Sequence, residues 1–161
     1  MEIIDVVKEL RMRLPKFPDG RIDYSKSDSA AILTIFVRYG GELLLLKRSH
    51  KVWTYKGKWN TVAGYFDELC PARENVLEEL REEIGLGEDS ISSMHFGEVY
   101  AFYDVSYNVN WIVQPVMVDL KKKPDIKLDW EHTEYRWVKR GDLKKFDVVF
   151  NLEKSLENAT K

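Results

Sequence analysis

Three glutamates, Glu79, Glu82 and Glu83, are spaced so that they would share one face of a helix. Like charges at this spacing destabilise a helix by roughly 0.2–0.5 kcal/mol per pair, and the helix dipole disfavours negative charge in the last turn by ~0.3–1 kcal/mol. A divalent cation would offset this repulsion, and carboxylate ligands without cysteine or histidine favour magnesium, manganese or calcium. The alternative is an ordinary charged helix surface.

The segment around these glutamates carries the start and stop signals of a helix. Pro71 suits its first position, because the missing N–H costs little there, and Gly85 suits the residue just past its end. Between them, apolar residues recur at helical spacing and predict a buried stripe: Val76, Leu77, Leu80 and Ile84. The glutamates lie beside this stripe rather than opposite it.

The elements on either side predict one α/β or α+β domain with a mixed sheet. Ile3–Leu14 has the spacing of a short amphipathic helix, and a turn-rich arm follows it. Two apolar segments, Ala30–Tyr39 and Glu42–Lys47, flank Gly-Gly and predict a hairpin with a buried second strand. The remaining predicted elements are strands near 61–63, 95–103, 109–119 and 135–138, and helices at 141–145 and 151–158.

Composition limits the classes of function. The chain has 161 residues, 44% hydrophobic and 32% charged, as expected of one globular domain, and its net charge of −2 gives no strong signal for nucleic acid or membrane. Cys70 is the only cysteine, which excludes an intrachain disulfide and suits a reducing, cytoplasmic setting. No apolar run approaches the roughly 20 residues that span a bilayer. A homodimer stays open.

A loop between two predicted strands combines basic and aromatic residues. Arg48 and Lys51 are the candidates for gripping a phosphate, and Trp53, Tyr55 and Trp59 lie close to them in sequence. The alternative is a solvated loop in which Trp59 packs into the core. We therefore expect Arg48 and Lys51 to bind substrate, with Trp59 as a structural residue.

The segment from Gly64 to Leu86 resembles the Nudix box, Gly-x5-Glu-x7-Arg-Glu-U-x-Glu-Glu-x-Gly-U, where U is bulky and apolar. Seven positions match without a gap: Gly64, Glu79, Leu80, Glu82, Glu83, Gly85 and Leu86. The resemblance covers roughly 29–146 and implies an α/β/α sandwich with a mixed β-sheet. We expect residues 29–161 to form the Nudix domain and residues 1–28 to form an N-terminal helix and irregular arm.

The resemblance also implies a chemistry, namely metal-dependent hydrolysis of the diphosphate linkage in a small-molecule nucleoside diphosphate derivative. Glu79, Glu82 and Glu83 correspond to the family ligands of Mg²⁺ or Mn²⁺, and Glu79 and Glu82 are also expected to be catalytic. ADP-ribose, a dinucleotide polyphosphate, a nucleoside triphosphate and a sugar nucleotide all remain open as substrates.

Nudix domains often add an acidic residue from a loop before a tryptophan-containing strand. Glu131, six residues before Trp137, is the chosen catalytic base or extra ligand. Its fallbacks are Glu134, Asp129 and Glu98. Tyr103 resembles a tyrosine that marks dinucleotide-polyphosphate enzymes of the family, and it is the third candidate for substrate binding.

Two box positions depart from the family pattern. Cys70 occurs where the family has glutamate, and Glu78 occurs where it has an arginine that helps hold the adjacent glutamate. Arg81 or Arg73 could supply the missing cation. The departures keep two alternatives open: a nucleotide-binding or regulatory module that has lost catalysis, and an isomerase of the isopentenyl diphosphate type, whose cysteine motif is not found here.

Overall fold

The computed structural model describes the whole chain, residues 1–161, as three helices on an eight-stranded sheet. The helices are α1 (Ile3–Arg13), α2 (Ala72–Ile84) and α3 (Leu152–Ala159). The strands are β1 (Ser29–Tyr39), β2 (Glu42–Arg48), β3 (Trp59–Asn60), β4 (Val62–Tyr65), β5 (Ile91–Phe96), β6 (Tyr100–Asp104), β7 (Val109–Leu120) and β8 (His132–Lys139). Short 3₁₀ helices occupy Glu88–Ser90 and Arg140–Lys145.

The sheet is mixed, as the sequence predicts. Its centre is the long parallel pair of β1 and β7, and every other strand pairing is antiparallel. β2 pairs with β1 through the predicted Gly-Gly hairpin and continues to β3 and β8, while β5 and β6 pair with β7. β4 pairs with β1, which brings the start of the box next to the central strands.

The two faces of the sheet carry separate hydrophobic clusters, which confirms the predicted α/β/α sandwich. Leu44 and Leu46 of β2 point into the cluster that α1 and α2 cover, whereas Leu43 and Leu45 point into the cluster that α3 covers. All four side chains are buried, because a strand covered on both faces needs apolar residues on both. No helix is long and apolar enough to cross a membrane.

The segment predicted as one strand near 95–103 forms two strands instead. β5 ends at Phe96 and β6 begins at Tyr100. Gly97 between them lies so close to α3 that an added Cβ would be 2.1 Å from the carbonyl oxygen of Asn158. The close approach of α3 needs a residue without a side chain, and the strand is interrupted there.

Helix α2 buries three of the four residues of the predicted stripe, and its buried face is shifted away from the fourth. Val76, Leu80 and Ile84 are fully buried, but Leu77 is only half-buried. The polar residues Asn75 and Glu83 are buried instead. The helix is therefore rotated toward its glutamate side, so that one of the box carboxylates enters the protein interior.

Leu80→Ala should lower the free energy of unfolding by roughly 2–5 kcal/mol, because this fully buried side chain fills the space between α2 and the sheet. Chemical denaturation of both proteins measures the difference. Leu77→Ala on the same helix is the matched control and should cost clearly less. Equal losses for the two variants would contradict this orientation of α2.

The N-terminal segment packs against the same core as the box helix. Val7 and Leu10 of α1, together with Ile22 of the following arm, are buried in the cluster that contains Leu80. The division of the chain at residue 28 stays a prediction, and the arm lies directly beside the elements that carry the candidate site.

Candidate active site

The carboxylate of Glu79 lies against the backbone of Gly64. A Cβ added to Gly64 would be 2.3 Å from the carboxyl carbon of Glu79 and 2.4 and 2.5 Å from its two oxygens. Only glycine at this point of β4 leaves room for the carboxylate. The loop of residues 66–71 connects β4 to α2, so its shape sets the distance between Gly64 and Glu79.

Glu83, one helical turn further on, enters the interior, where 2% of its surface is exposed. The Ala63 N–H donates to Glu83 Oε1 over 3.5 Å, and His132 Nε2 lies 3.7 Å from the same oxygen. Glu83 Oε2 is buried without a hydrogen-bond partner. An unsatisfied buried carboxylate oxygen is costly, and a ligand at this point would satisfy it.

Glu79 and Glu83 lie close enough for each carboxyl group to affect the pKa of the other. Burial raises the pKa of Glu79 to about 7. Burial, followed by the hydrogen bond to Glu79, raises the pKa of Glu83 well above its usual range. The two carboxyl groups cannot both ionise easily at neutral pH, which is the behaviour of paired carboxylates that lack a counter-charge.

Glu131 lies on the opposite side of the same site, just before β8. Its carbonyl oxygen accepts a hydrogen bond of 2.8 Å from the Ser49 N–H, and its own N–H donates to Asp129 Oδ1 over 3.1 Å. Burial and the interaction with Asp129 raise the pKa of Glu131 to about 7, and Arg48 opposes this shift. A carboxyl group with a pKa near neutral is suited to accept a proton.

An aromatic cavity of about 140 Å³ opens beside these carboxylates. Arg48, Gly64 and Glu131 line it at the polar side. Its aromatic lining consists of Tyr55, Tyr65, Phe102, Trp111 and Phe150. A cavity of ~150 Å³ accepts a benzene-sized ring, so this volume fits one aromatic group rather than a complete nucleotide.

Residues 16–159 match the family model described as NUDIX domain. The chain belongs to the Nudix family. It is accordingly a nucleotide pyrophosphohydrolase in general terms, and its family uses divalent metals. None of the curated proteins matches this chain.

Solved structures of other Nudix proteins share the fold. The MutT protein from Methanosarcina mazei Go1 has a TM-score of 0.68 and 24% identity, with 84% of this chain and 95% of that chain covered. An Ap4A hydrolase from C. elegans, in a binary complex, has a TM-score of 0.61 and 20% identity, with 82% and 94% covered. A bifunctional NMN adenylyltransferase/ADP ribose pyrophosphatase from Francisella tularensis, complexed with AMP and a Mn ion, has a TM-score of 0.68 and 16% identity, with 96% and 44% covered.

The structure brings Arg48, Glu79, Glu83 and Glu131 of the predicted Nudix site together. Glu82 is more exposed, and its carboxylate faces Arg81 at 3.7 Å, although its charge still acts on Glu79. The roles of these residues stay predictions.

The other two candidates for substrate binding lie outside the aromatic cavity. Lys51 is exposed on the loop after β2. Tyr103 is half-exposed on β6, where its hydroxyl donates to Asn108. Their binding roles stay predictions, and both would have to contact a part of the substrate that projects from the cavity.

Among the four loop acids considered, Glu131 and Asp129 lie at the site. Glu134 is engaged on β8 in ion pairs with Lys47 at 3.5 Å and with Arg136 at 2.8 Å. Glu98 is exposed between β5 and β6. The geometry therefore favours Glu131 over these two fallbacks.

The donor set fits a hard divalent cation, although no three acidic, histidine or cysteine side chains are already arranged as a coordination sphere. Glu79 and Glu83 are adjacent carboxylates with raised pKa values, and Glu83 Oε2 lacks a partner. Oxygen ligands of this kind suit Mg²⁺ or Mn²⁺, and a bound cation would favour the ionised form of both carboxyl groups.

His132 also belongs to this site, although no motif in the sequence indicates it. It is 6% exposed, and it stands between Asp129, 3.3 Å from Nδ1, and Glu83. Burial lowers the pKa of His132, so its ring is neutral at pH 7. No spacing pattern connects it with the box, and only its place directly after Glu131 could have indicated it.

Cys70 does not have the lowered pKa that its place before a helix suggests. Burial raises the pKa of the thiol, and the nearby charges of Glu68, Glu74 and Glu78 raise it further. A neutral thiol among carboxylates is a poor nucleophile, in agreement with the absence of a visible partner base.

The metal-free protein should lose stability as pH rises from about 5 to about 8. The pKa of Glu79 is about 7 in the folded state against 4.5 ordinarily, so its contribution is fully present below pH 4.5 and is lost as pH rises through 7. This shift corresponds to roughly 3 kcal/mol. Denaturation in EDTA across this range measures it. Glu79→Gln stays neutral throughout, so its profile should be flatter, and parallel profiles would contradict the assignment.

Proposed function

We propose that this Nudix protein hydrolyses the diphosphate linkage of a nucleoside diphosphate derivative in a reaction that depends on Mg²⁺ or Mn²⁺. The observation that carries the proposal is the meeting of Glu79, Glu83 and Glu131, three carboxyl groups with raised pKa values, beside an aromatic cavity. Groups perturbed in this way concentrate at active sites.

Glu79, Glu82 and Glu83 would hold the cation. When bound, the cation neutralises negative charge on the diphosphate oxygens and makes phosphorus easier to attack. Arg48 is fixed by hydrogen bonds from Nε to the Thr54 carbonyl oxygen at 2.9 Å and from Nη2 to the Thr54 hydroxyl at 3.3 Å. Its guanidinium therefore presents a positioned positive charge at the cavity, suited to a phosphate oxygen.

Glu131 acts as the general base for the attacking water. The water oxygen forms a bond to phosphorus, its proton passes to the Glu131 carboxylate, and the bond between phosphorus and the bridging oxygen breaks. The pKa of about 7 leaves a substantial fraction of Glu131 ionised at neutral pH while keeping it basic enough to accept the proton. Arg48 opposes the upward shift and so helps keep Glu131 ionised.

The cavity supports a substrate with an aromatic group on one side of the diphosphate. Tyr55 and Trp111 are among the residues that offer ring faces or edges for stacking, and the size of the cavity suits a single ring system. The structural relatives named above include an Ap4A hydrolase and an ADP ribose pyrophosphatase, whose names both refer to adenine-containing compounds. A nucleoside with its base in this cavity is the substrate class that we propose.

The test is a screen of nucleoside diphosphate derivatives with purified protein and Mg²⁺, with the products identified by mass. We expect cleavage between the two phosphates, complete loss of activity in EDTA, and its return with Mg²⁺ or Mn²⁺. Glu79→Gln is the matched inactive variant and should retain the fold. Nucleotide binding without hydrolysis by the wild-type protein would instead support the binding-module alternative.

A further inference from the structure

The arm between α1 and β1 contains a tight turn, residues 17–21, that ends at Arg21. The Phe17 N–H donates to the carbonyl oxygen of Arg21 over 2.8 Å, and the Gly20 N–H donates to the carbonyl oxygen of Phe17 over 2.9 Å. Gly20 has a φ of +91°, which glycine adopts without strain. Arg11 of α1 donates from Nη1 to the Gly20 carbonyl oxygen at 2.9 Å. The turn is therefore held in one place on the protein.

The same arm is joined to the loop that leads into the box helix. The Ile22 N–H donates to the Asp67 carbonyl oxygen at 2.9 Å, and the Tyr24 hydroxyl donates to the Phe66 carbonyl oxygen at 2.7 Å. Both Ile22 and Tyr24 are buried. Arg21 directly precedes Ile22, so its backbone is fixed by these bonds. Its side chain extends toward the loop and α2.

Arg21 contacts both of these elements at once. Its Nε lies 2.8 Å from Glu68 Oε1 in the loop, and its Nη2 lies 3.7 Å from Glu78 Oε1 on α2. Glu78 directly precedes Glu79, and the loop of Glu68 directly follows β4. The guanidinium thus joins the two segments whose separation determines the clearance between Gly64 and Glu79.

The two cations that the sequence offered for this place are engaged elsewhere. Arg73 pairs with Glu88 at 3.0 Å, and Arg81 faces Glu82 at 3.7 Å. Neither makes an ion pair with Glu78. Arg21, which lies more than forty positions before the box helix, is the cation that neutralises this side of it.

We propose that Arg21 is a positioning residue that bridges the loop and the box helix from outside the box, where Cys70 and Glu78 depart from the family pattern. The inference rests on the proposed metal-dependent hydrolysis. The Glu79 carboxylate occupies the space that a side chain at residue 64 would need, so it lies directly against the Gly64 backbone. A change in the separation of the loop and α2 would therefore displace the Glu79 carboxylate, which is one of the proposed metal ligands.

Arg21→Ala should weaken the affinity for Mg²⁺ and lower kcat, each by roughly 10-fold, with little change in KM for the nucleotide, as expected when a supporting partner of a ligand is lost. The melting temperature of the metal-free protein should hardly change, because ion pairs between half-exposed side chains add little to stability. Arg21→Lys should retain only part of the Mg²⁺ affinity and of kcat, since an ammonium group lacks the planar, forked donors with which a guanidinium contacts two carboxylates. Lys16 lies on the same arm and makes no ion pair, so Lys16→Ala is the matched control.

The decisive comparison adds Cys70→Glu and Glu78→Arg, which place a glutamate and an arginine within the box itself. In this background, Arg21→Ala should have no further effect on kcat or on the Mg²⁺ midpoint. An equal loss in both backgrounds, or an Arg21→Ala variant that matches Lys16→Ala in both measurements, would overturn the positioning role. If the wild-type protein hydrolyses no nucleotide, the proposed function fails, whereas the Mg²⁺ titration still decides the role of Arg21.

Discussion

Glu131→Gln should lower kcat by roughly 10²–10⁴-fold, the loss expected when a general base is removed. The carboxamide keeps the size of the side chain, and the backbone bonds of residue 131 to Ser49 and Asp129 do not involve the carboxyl group. Folding should therefore be intact. Because the carboxyl group is partly buried and has a raised pKa, the neutral substitute should not destabilise the metal-free protein.

The pH profile distinguishes the base from a residue that only binds substrate. In the wild-type protein, kcat/KM should rise as pH increases through about 7, because Glu131 must lose its proton before it can accept one. Steady-state kinetics from pH 5 to 9 measure this rise in kcat/KM. The residual activity of Glu131→Gln should not show it. Glu134→Gln, which removes a carboxylate paired on the surface with Lys47 and Arg136, is the control. If Glu131→Gln had the wild-type rate and Glu134→Gln lost activity, Glu134 rather than Glu131 would be the general base.

Glu82→Gln combined with Glu83→Gln should abolish the stabilisation of the protein by Mg²⁺. A ligand at 100 times its dissociation constant adds ~2.7 kcal/mol to the stability of the state that binds it, which for a domain of this size is a rise in melting temperature of roughly 5–10 °C. Without two of the three carboxylates, the affinity should be too low for a measurable rise. Thermal unfolding with and without Mg²⁺ is the measurement.

The stability of the double variant without metal shows whether a missing response to Mg²⁺ comes from the loss of metal ligands or from a damaged fold. Burial favours the protonated form of Glu83, and glutamine resembles that form, so the variant should be at least as stable as the wild-type protein in EDTA. Glu74→Gln, an exposed residue of the same helix, is the matched control and should keep the full response to Mg²⁺. An undiminished rise in the double variant would place the cation elsewhere.

The fold and the box helix follow from patterns within short segments. The spacing of Val76, Leu80 and Ile84 between Pro71 and Gly85 predicts α2 to within a residue at each end, because helix periodicity and end signals are local. The continuous apolar segment of β2 likewise predicts a strand covered on both faces, and the two hydrophobic clusters confirm it.

The sequence predicts that Arg48 and Glu131 belong to the site, and in the structure both residues line the same cavity. It could not indicate that Lys51 and Tyr103 lie outside that cavity, since the direction of a loop or strand side chain depends on which strands pair. It also could not show that α2 buries Glu83 and leaves Leu77 half-buried, because the surroundings of Glu83, Ala63 of β4 and His132 of β8, come from distant segments of the chain.

By itself, the sequence determined the family, the class of fold and the three adjacent glutamates of one helix, because each depends on spacing along the chain. Only the tertiary structure decided what surrounds those glutamates. His132 of β8 lies beside Glu83 of α2, and Arg21 contacts Glu78 from an arm that precedes the whole sheet. Such contacts join residues from distant segments, so no spacing pattern along the sequence connects them. They form only when the packing of the sheet and helices brings these segments together.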